Sequence, residues 1–316
     1  MLLLLDLYFY KSIVLAKVCI EVSQGRRVSV KVLFWKSHLQ VRCKIKSIGR
    51  LIATAANSRF KVNEYVVCVG AVKMVEVWVE LEPTTRKEKL ERMLEKLKAY
   101  RIDALDVPDA PLGIPKAFAP LIACYVRAAH GVKVVPHIRL LDINTNALLN
   151  IVGGLLLCDV DNLVILQGDK PKYGKSVGEL STDDALQVIR SRYSDRVSVG
   201  CLVSLRKSVG DIIERVKKDY DFFLLMRAVG KNLEKIRVIR RIRSDAKLIA
   251  YMIVCEGEDC IRLKTMLEGQ PIVSVEHVGE HLDTLIENVD GILISSPGSI
   301  DTVVRVLELL DKMGIL

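Results

Sequence analysis

Polar side chains come directly after apolar runs that have the length of buried strands. One such run, residues 163–166, is followed by Gln167, Gly168 and Asp169, and Pro171 then prevents further sheet pairing. Ligands bind at the carboxyl ends of strands in α/β sheets and barrels, so Asp169 is a candidate for binding or catalysis. A turn aspartate that bonds to its own backbone explains the same pattern, and this stretch alone leaves both interpretations open.

Two further positions could do acid–base chemistry. Glu80 and Glu82 end an apolar run and share one face of it, because alternate residues of a strand point the same way. Burial raises the pKa of a carboxyl group, so one of them could donate a proton, while a solvated rim position is the alternative. His137 follows Pro136 in another apolar run. A lone histidine there is more often a hydrogen-bonded core residue than a catalyst, and no metal site is predicted.

The elements that must position these residues begin at Met74. Eight pairs of a strand pattern and an amphipathic helix pattern fit into 243 residues, which predicts a parallel α/β sheet closed into a (β/α)8 TIM barrel. A doubly wound open sheet is the alternative, but no Gly-x-Gly-x-x-Gly follows any strand. The expected strands are 75–82, 103–107, 132–140, 162–169, 197–203, 221–226, 248–254 and 291–295. The expected helices are 86–100, 115–129, 145–157, 182–192, 209–218, 231–241, 259–267 and 300–310.

In a closed barrel the carboxyl ends of the strands surround one mouth. The polar residues expected there are Glu80 or Glu82, Asp106 or Asp109, His137, Arg139, Asp142, Gln167, Asp169, Ser204, Arg227, Ser295 and Ser296.

The positive charge is concentrated in residues 1–73, which hold 13 Lys and Arg against three acids, whereas residues 74–316 hold 34 against 35. A nucleic-acid surface could therefore lie only in the first segment, and no recognised motif there supports one. Its alternating residues and the turn signal Ser23-Gln-Gly predict a β-hairpin. Residues 1–73 are either a small β appendage or not part of the natural product, and residues 74–316 are the barrel.

No run of about 18 apolar residues occurs, so no membrane-spanning helix is expected. The apolar start contains Asp6 and lacks a basic leading region, which argues against a signal peptide. Eight cysteines fall singly, and reduced thiols in a cytoplasmic protein are predicted. Cys255 and Cys260 bracket four residues, but two cysteines without a partner pair are a weak metal signal.

Four of these stretches, in the same order and spacing, resemble methylenetetrahydrofolate reductase. They are Glu80-x-x-Pro83, residues 109–115 (Asp-Ala-Pro-Leu-Gly-Ile-Pro), Pro136-His137-Ile and residues 166–171 (Leu-Gln-Gly-Asp-Lys-Pro). The second stretch looks most like the reductase half of the bifunctional homocysteine methyltransferase/methylenetetrahydrofolate reductase proteins. The resemblance runs from about Met74 to the end of the chain and is strongest up to Pro171.

The resemblance implies an FAD-dependent barrel of one-carbon metabolism and methionine biosynthesis. Such an oxidoreductase reduces a methylene-tetrahydropterin to its 5-methyl form, with NAD(P)H or a protein as electron donor. Glu80 would be the acid that opens the imidazolidine ring, and Asp169 would lie beside the flavin. The remaining residues implied to contact FAD are His137, Gln167, Gly168, Asp109 and Arg215, of which Arg215 replaces a lysine near the phosphates. The number of subunits is left open.

The chain also departs from the family. Leu225-Met226 replaces the Thr-Gln that contacts the pterin, residues 201–207 replace a Pro-Glu-x-His segment near the flavin, and Pro108-Asp109-Ala-Pro111 replaces a Gly-rich turn. A site built to hydrogen-bond a pterin is weakened when such a group is removed, so the substrate is either 5,10-methylenetetrahydrofolate or a modified pterin or other electrophile. The alternative function is therefore a non-catalytic barrel that binds a ligand or partner in methyl-transfer metabolism.

Overall fold

The computed structural model describes residues 2–7, 15–23, 27–35, 75–267 and 269–316. The chain divides into two units, Met1–Lys73 and Met74–Leu316. In the first unit, β1 (Leu2–Leu7), β2 (Leu15–Ser23) and β3 (Arg27–Trp35) form an antiparallel sheet in that order. Ser23 pairs with Arg27, so the predicted hairpin is confirmed. The rest of the basic segment lies outside the described residues.

The second unit is a closed parallel barrel, as predicted. Its eight strands are β4 (Glu76–Glu80), β5 (Ala104–Val107), β6 (Val134–Arg139), β7 (Asn162–Leu166), β8 (Ser198–Ser204), β9 (Phe222–Met226), β10 (Lys247–Cys255) and β12 (Gly291–Ser295). Each strand pairs with the next, β9 pairs with β10, and β12 returns to β4. This closure excludes the open-sheet alternative.

Helices follow the strands around the barrel. They are α1 (Lys87–Leu97), α2 (Ala119–His130), α3 (Thr145–Leu157), α4 (Thr182–Tyr193), α5 (Val209–Val216), α6 (Leu233–Ile242), α7 (Asp259–Met266), α8 (Val278–Leu285) and α9 (Ile300–Lys312). α1 buries Leu90, Met93, Leu94 and Leu97, the apolar spacing that predicted it. α2 begins four residues later than expected because Pro120 fits the first turn of a helix and Phe118 is extended.

Successive side chains along each strand point to opposite faces, so the barrel has two apolar cores, one between the strands and the helices and one inside the barrel. On β4, Val77 and Val79 face the helices, whereas Trp78 packs inside the barrel. Trp78 meets Phe222 edge to face at 5.5 Å between ring centroids, and together they fill the barrel floor. Gly200 makes room for this packing, since a Cβ there would lie 2.2 Å from the Phe222 ring. With its floor filled, the barrel interior is apolar below the mouth, which the carboxyl ends of the strands surround.

The structure contains one strand–helix unit that the sequence patterns did not predict. β11 (Ile272–Ser274) extends the sheet beside the end of β10, and α8 follows it. β11 has only three residues and α8 only eight, so neither carries enough periodicity to be recognised from sequence. This unit lies between the seventh and eighth strands of the barrel.

The cysteine prediction is wrong for four residues. Cys124 is bonded to Cys158, and Cys255 is bonded to Cys260. These pairings join residues 34 and five positions apart, and sequence spacing alone gave no sign of either. Cys201 is a buried free thiol, as expected. The other three cysteines, at 19, 43 and 68, lie in the first unit, where no side chain is described.

None of the helices in the described part of the chain has the length and hydropathy that crossing a bilayer requires.

Candidate functional site

The mouth of the barrel contains a half-buried glutamate whose carboxyl group is hydrogen-bonded on both oxygens. Glu80 is the last residue of β4, and its side chain points into the barrel two positions beyond Trp78. Ser295 Oγ, at the end of β12, donates a hydrogen bond of 2.7 Å to Glu80 Oε1, and Tyr251 Oη on β10 donates one to Oε2. Three strands therefore fix one carboxyl group from two sides.

The surroundings of Glu80 favour its protonated form. Burial raises the pKa of Glu80 from its ordinary value of 4.5, and the nearby charge of Asp106 raises it further. The hydrogen bonds from Tyr251 and Ser295 act in the opposite direction without cancelling the effect of burial. A carboxyl group in this setting is suited to give up a proton during a reaction rather than to remain ionised.

Asp106 and His137 form a buried pair beside Glu80. Asp106 is the β5 neighbour of Glu80, and its Oδ1 atom lies 2.9 Å from Nε2 of His137. Burial alone would lower the pKa of His137, but the charge and hydrogen bond of Asp106 outweigh it and raise that pKa. The second Asp106 oxygen, Oδ2, is buried and has no hydrogen-bond partner among the described residues. The pair thus leaves one acceptor free inside the mouth.

A cavity of about 140 Å³ opens next to Glu80, between the ends of β4 and β12 and the helices α1 and α9. Ser296, which lines it, has a buried hydroxyl without a hydrogen-bond partner in the described part of the chain. Glu82 lies at the rim and pairs with Lys89 at 3.0 Å. The structure therefore distinguishes the two glutamates by their partners: Glu80 accepts hydrogen bonds from Tyr251 and Ser295 inside the mouth, whereas Glu82 pairs with a lysine at the rim.

The predicted residues on β7 lie in a different part of the mouth. Gln167 and Asp169 are exposed on the loop after the strand, and Gln167 Nε2 donates to the carbonyl of Leu180 at 3.3 Å. Asp169 makes no hydrogen bond or ion pair with another described residue, and nothing links it to Glu80. Its expected role beside a flavin thus rests on the resemblance alone.

Buried Arg139 holds the loops of this second region together. Its Nε donates to Asp142 at 2.6 Å, and its Nη1 donates to the carbonyl of Ala110 at 3.3 Å. Asp109 precedes Ala110 and is half-buried, and burial raises its pKa. Gly168 lies against the Arg139 stem, where a Cβ would come within 2.6 Å of Cγ. Close packing against Arg139 therefore explains why position 168 is a glycine. This explanation is independent of the close cofactor approach that the resemblance implies.

Arg215 belongs to a third region, a cavity of about 520 Å³ at the ends of β8 and β9. The cations that line it are Arg206, Lys207, Arg215 and Arg227. Arg215 donates to Thr182 Oγ1 at 2.8 Å, and Arg227 has a φ of +67° with its pKa lowered by burial and by the charge of Arg206. Asp211 is the acid in the lining, so cations predominate and the cavity suits an anion.

Sequence reasoning missed Tyr251 and did not choose Asp106 over Asp109. The signal for Tyr251 was available, because it is the polar-tipped residue in the inward-facing alternation Ile249, Tyr251, Ile253 on β10. Asp106 is likewise the inward residue of β5, two positions beyond Ala104. Arg206 and Lys207 lie in residues 201–207, where the chain departs from the family pattern, so the resemblance implied no role for them.

Within the described residues, no group of three or more His, Cys, Asp and Glu side chains is arranged to hold a metal ion.

Comparison with known proteins identifies the fold but no family. No protein-family model and no curated protein sequence matches the chain. One similar solved structure is described as an uncharacterized protein from Clostridium thermocellum that binds two copies of 5-methyl-5,6,7,8-tetrahydrofolic acid. It is 12% identical, has a TM-score of 0.56, and the match covers 77% of this chain and 96% of that one. Since 543 solved chains match, the similarity specifies a common barrel fold rather than a chemistry.

Proposed function

We propose that the barrel mouth binds a reduced pterin of the folate class and, with FAD, reduces its methylene group to a methyl group. The observation that carries this proposal is Glu80, a half-buried residue whose carboxyl group has a raised pKa, accepts hydrogen bonds from Tyr251 and Ser295, and borders a cavity at the ends of β4 and β12. Reduction of a 5,10-methylene pterin requires a proton at the nitrogen that leaves the methylene carbon. Glu80 suits that requirement because burial and the charge of Asp106 raise its pKa and so favour the protonated form.

The neighbours of Glu80 fit this role in both protonation states. While Glu80 is protonated, one oxygen carries the proton that it delivers to N10 of the pterin. After delivery, Tyr251 Oη and Ser295 Oγ donate hydrogen bonds to the carboxylate and stabilise its charge. Asp106 lies alongside, and its negative charge favours return of a proton to Glu80, with a smaller opposing effect from His137.

Two buried polar atoms are available to orient the substrate. Asp106 Oδ2 and Ser296 Oγ have no partner among the described residues, and an unpaired buried polar atom is costly unless a ligand or water satisfies it. Asp106 could accept hydrogen bonds from the amino group and ring N–H of a pterin. This arrangement would replace the amide side chain that the family has at the position of Met226, whose thioether cannot donate a hydrogen bond.

The cation-lined cavity fits the diphosphate of FAD. Arg206, Lys207, Arg215 and Arg227 would bind phosphate oxygens, and Arg206 already lowers the pKa of Arg227, so an anion between them would relieve their repulsion. When bound, FAD would supply the hydride. The chain's own contribution is to hold the phosphates, to keep Glu80 protonated and to exclude water from the barrel floor.

Two similarities support the choice of ligand. The four strand-end motifs resemble methylenetetrahydrofolate reductase, and a solved barrel of the same fold is described as binding 5-methyltetrahydrofolic acid. A methyl pterin is the product of the proposed reaction.

A second candidate is a barrel that binds the pterin without reducing it. Asp169, which the resemblance places beside the flavin, is exposed and has no partner among the described residues. The similar solved structure is described only as binding its ligand. The two candidates share the pterin site and differ in whether a flavin binds and is used.

The deciding experiment uses the full chain. FAD is added and free flavin is removed, after which the absorption spectrum and the affinity for 5-methyltetrahydrofolate are measured. Reduction of 5,10-methylenetetrahydrofolate is then followed with chemically reduced flavin, so that the natural electron donor is not needed. Bound flavin, pterin binding and turnover that is lost in Glu80→Gln would support the reductase.

The remaining outcomes separate the candidates. Pterin binding by a protein that does not retain FAD would support the binding protein and overturn the reductase. Failure to bind either ligand would overturn both. Full turnover in Glu80→Gln would show that the proton comes from another group.

A further inference from the structure

The disulfide Cys255–Cys260 borders a cavity that also contains two histidines. The cavity has a volume of about 300 Å³ and is lined by Cys255, Cys260, His277 and His281, together with Lys264 and three residues of β11. It lies beyond the end of β10, and none of its residues belongs to the three regions of the mouth described above. Two cysteines and two histidines on one small cavity are the ligand set of a structural zinc site.

The strand–helix unit missed by sequence reasoning brings these residues together. Cys255 ends β10 and pairs in register with Ser274, the last residue of β11. The chain then makes a short 3-10 turn that ends at His277, and α8 begins at the next residue. His281 lies four residues after His277, so both side chains are on the same face of the helix start. Cys260 is in the first turn of α7 and lines the same cavity.

The sequence spacing matches that of zinc sites built from one pair of cysteines and one pair of histidines. The sequence reads Cys-x4-Cys, then 16 residues, then His-x3-His. Structural zinc sites use two to four residues between the cysteines and three to five between the histidines, because these separations let both members of a pair reach one ion. The two cysteines alone were a weak indication of a metal site because they had no second pair of ligands. In the fold, His277 and His281 supply that second pair.

We propose that, when Cys255 and Cys260 are reduced, they form with His277 and His281 a tetrahedral site for one zinc ion. In the oxidised form both sulfur atoms are in the disulfide, and no group of three or more metal-binding side chains is arranged around an ion site within the described residues. A dithiol reductant supplies two electrons and two protons, which break the S–S bond and give two thiols. Zinc binding then displaces the two thiol protons, and the histidines bind as neutral imidazoles.

The charges around the cavity are compatible with this assignment. Zinc with two thiolates and two imidazoles is neutral, so the site needs no additional counter-ion. Lys264 is the cation in the cavity lining, and it is exposed, so its ammonium group can turn into solvent. The acids between the cysteines are partly neutralised nearby: Asp259 pairs with Arg262 at 2.9 Å, and Glu256 pairs with Arg305.

The test uses the full chain, reduced without oxygen and then freed of reductant. Cobalt(II) is added as a spectroscopic substitute for zinc. We expect one equivalent to bind, with thiolate-to-cobalt charge-transfer bands and the visible bands of a tetrahedral ion, and zinc should displace it. The protein with its disulfides intact should show neither signal. Zinc should raise the melting temperature of the reduced protein only.

Variants distinguish this cavity from the other thiols. Cys260→Ser and His281→Asn, both at half-buried positions, should each lose the cobalt spectrum and the zinc-dependent rise in melting temperature. The matched control is Cys124→Ser, which removes one member of the other disulfide and should bind cobalt normally.

If either test variant fails to fold, His277→Asn at an exposed position takes its place. Absence of cobalt binding by the reduced chain, or unchanged spectra in the test variants, would overturn the proposal. Neither readout depends on flavin or pterin, so this result is independent of the proposed reductase activity.

Discussion

His137 Nε2 lies 2.9 Å from Asp106 Oδ1 inside the barrel mouth, and both side chains are almost completely buried. The pair joins β5 to β6, directly beside Glu80. Burying a charged pair is costly unless the two groups compensate each other, so their juxtaposition indicates a polar centre built into an otherwise apolar interior.

Asp106→Asn should lower the pKa of His137. The carboxylate charge that opposes burial is removed, so burial then disfavours the imidazolium form. Loss of one partner of a buried pair should also cost about 3–5 kcal/mol of unfolding free energy. An NMR titration of the His137 ring measures the first effect, with Asp195→Asn, at an exposed site, as the control. An unchanged titration would mean that Asp106 does not govern this histidine.

The same pair predicts a pH dependence. The pKa of His137 is higher in the folded than in the unfolded chain, so its stabilising contribution is complete below the ordinary value of 6.5. That contribution is lost as the pH rises through the folded-state pKa. In Asp106→Asn this decline should disappear. Denaturant unfolding at a series of pH values checks it, and an identical decline in both proteins would contradict the assignment.

Glu80→Gln should stabilise the protein progressively as the pH rises above 4.5. Because the folded-state pKa of Glu80 is raised, the wild type loses stability between 4.5 and that higher value, where the unfolded chain is ionised and the folded chain is still protonated. Glutamine carries no such charge. The difference in melting temperature between variant and wild type should grow over this window and then level off.

The control for that measurement is Glu82→Gln. Glu82 is half-exposed and pairs with Lys89, so its replacement removes a surface ion pair and relieves no buried charge. A stabilisation of Glu82→Gln that matches that of Glu80→Gln would show that the effect is not specific to the enclosed carboxyl group.

Gly168→Ala should destabilise the barrel more than Gly174→Ala does. Both glycines have positive φ, +87° and +77°, so alanine at either position should lower the free energy of unfolding by a similar amount, about 1 kcal/mol, through backbone strain. Only at 168 would the new Cβ also meet Arg139 Cγ, whereas nothing lies within 4 Å at 174. We expect an additional loss of about 1–3 kcal/mol, measured by chemical unfolding. Equal losses would mean that Arg139 moves aside freely.

Arg206→Gln should weaken FAD binding about tenfold or more, because a charge-assisted hydrogen bond to phosphate contributes about 1.5–3 kcal/mol. The remaining affinity should depend less on salt concentration. Titration calorimetry measures both, and Arg192→Gln on the exposed face of α4 is the control. Equal affinities for FAD in the two variants would remove the cation-lined cavity from the cofactor site.

The barrel could be predicted because its strands and helices carry strong local periodicity. The first helix was predicted from the spacing of Leu90, Met93, Leu94 and Leu97, and a buried strand was predicted from the apolar run before Gln167. Boundaries shifted by a few residues where prolines and short 3-10 turns intervene, as before α2 and α6. β11 and α8 were too short for the same reasoning to detect.

Sequence by itself determined that polar groups stand at the carboxyl ends of parallel strands, including Glu80, His137 and Asp169, since strand alternation and chain order are local properties. Only the tertiary structure decided which of them meet. Closure of β12 onto β4 brings Ser295 to Glu80, which lies 215 residues earlier, and β10 brings Tyr251 to the same carboxyl group. Partners that distant are selected by barrel closure and packing, which no local pattern encodes.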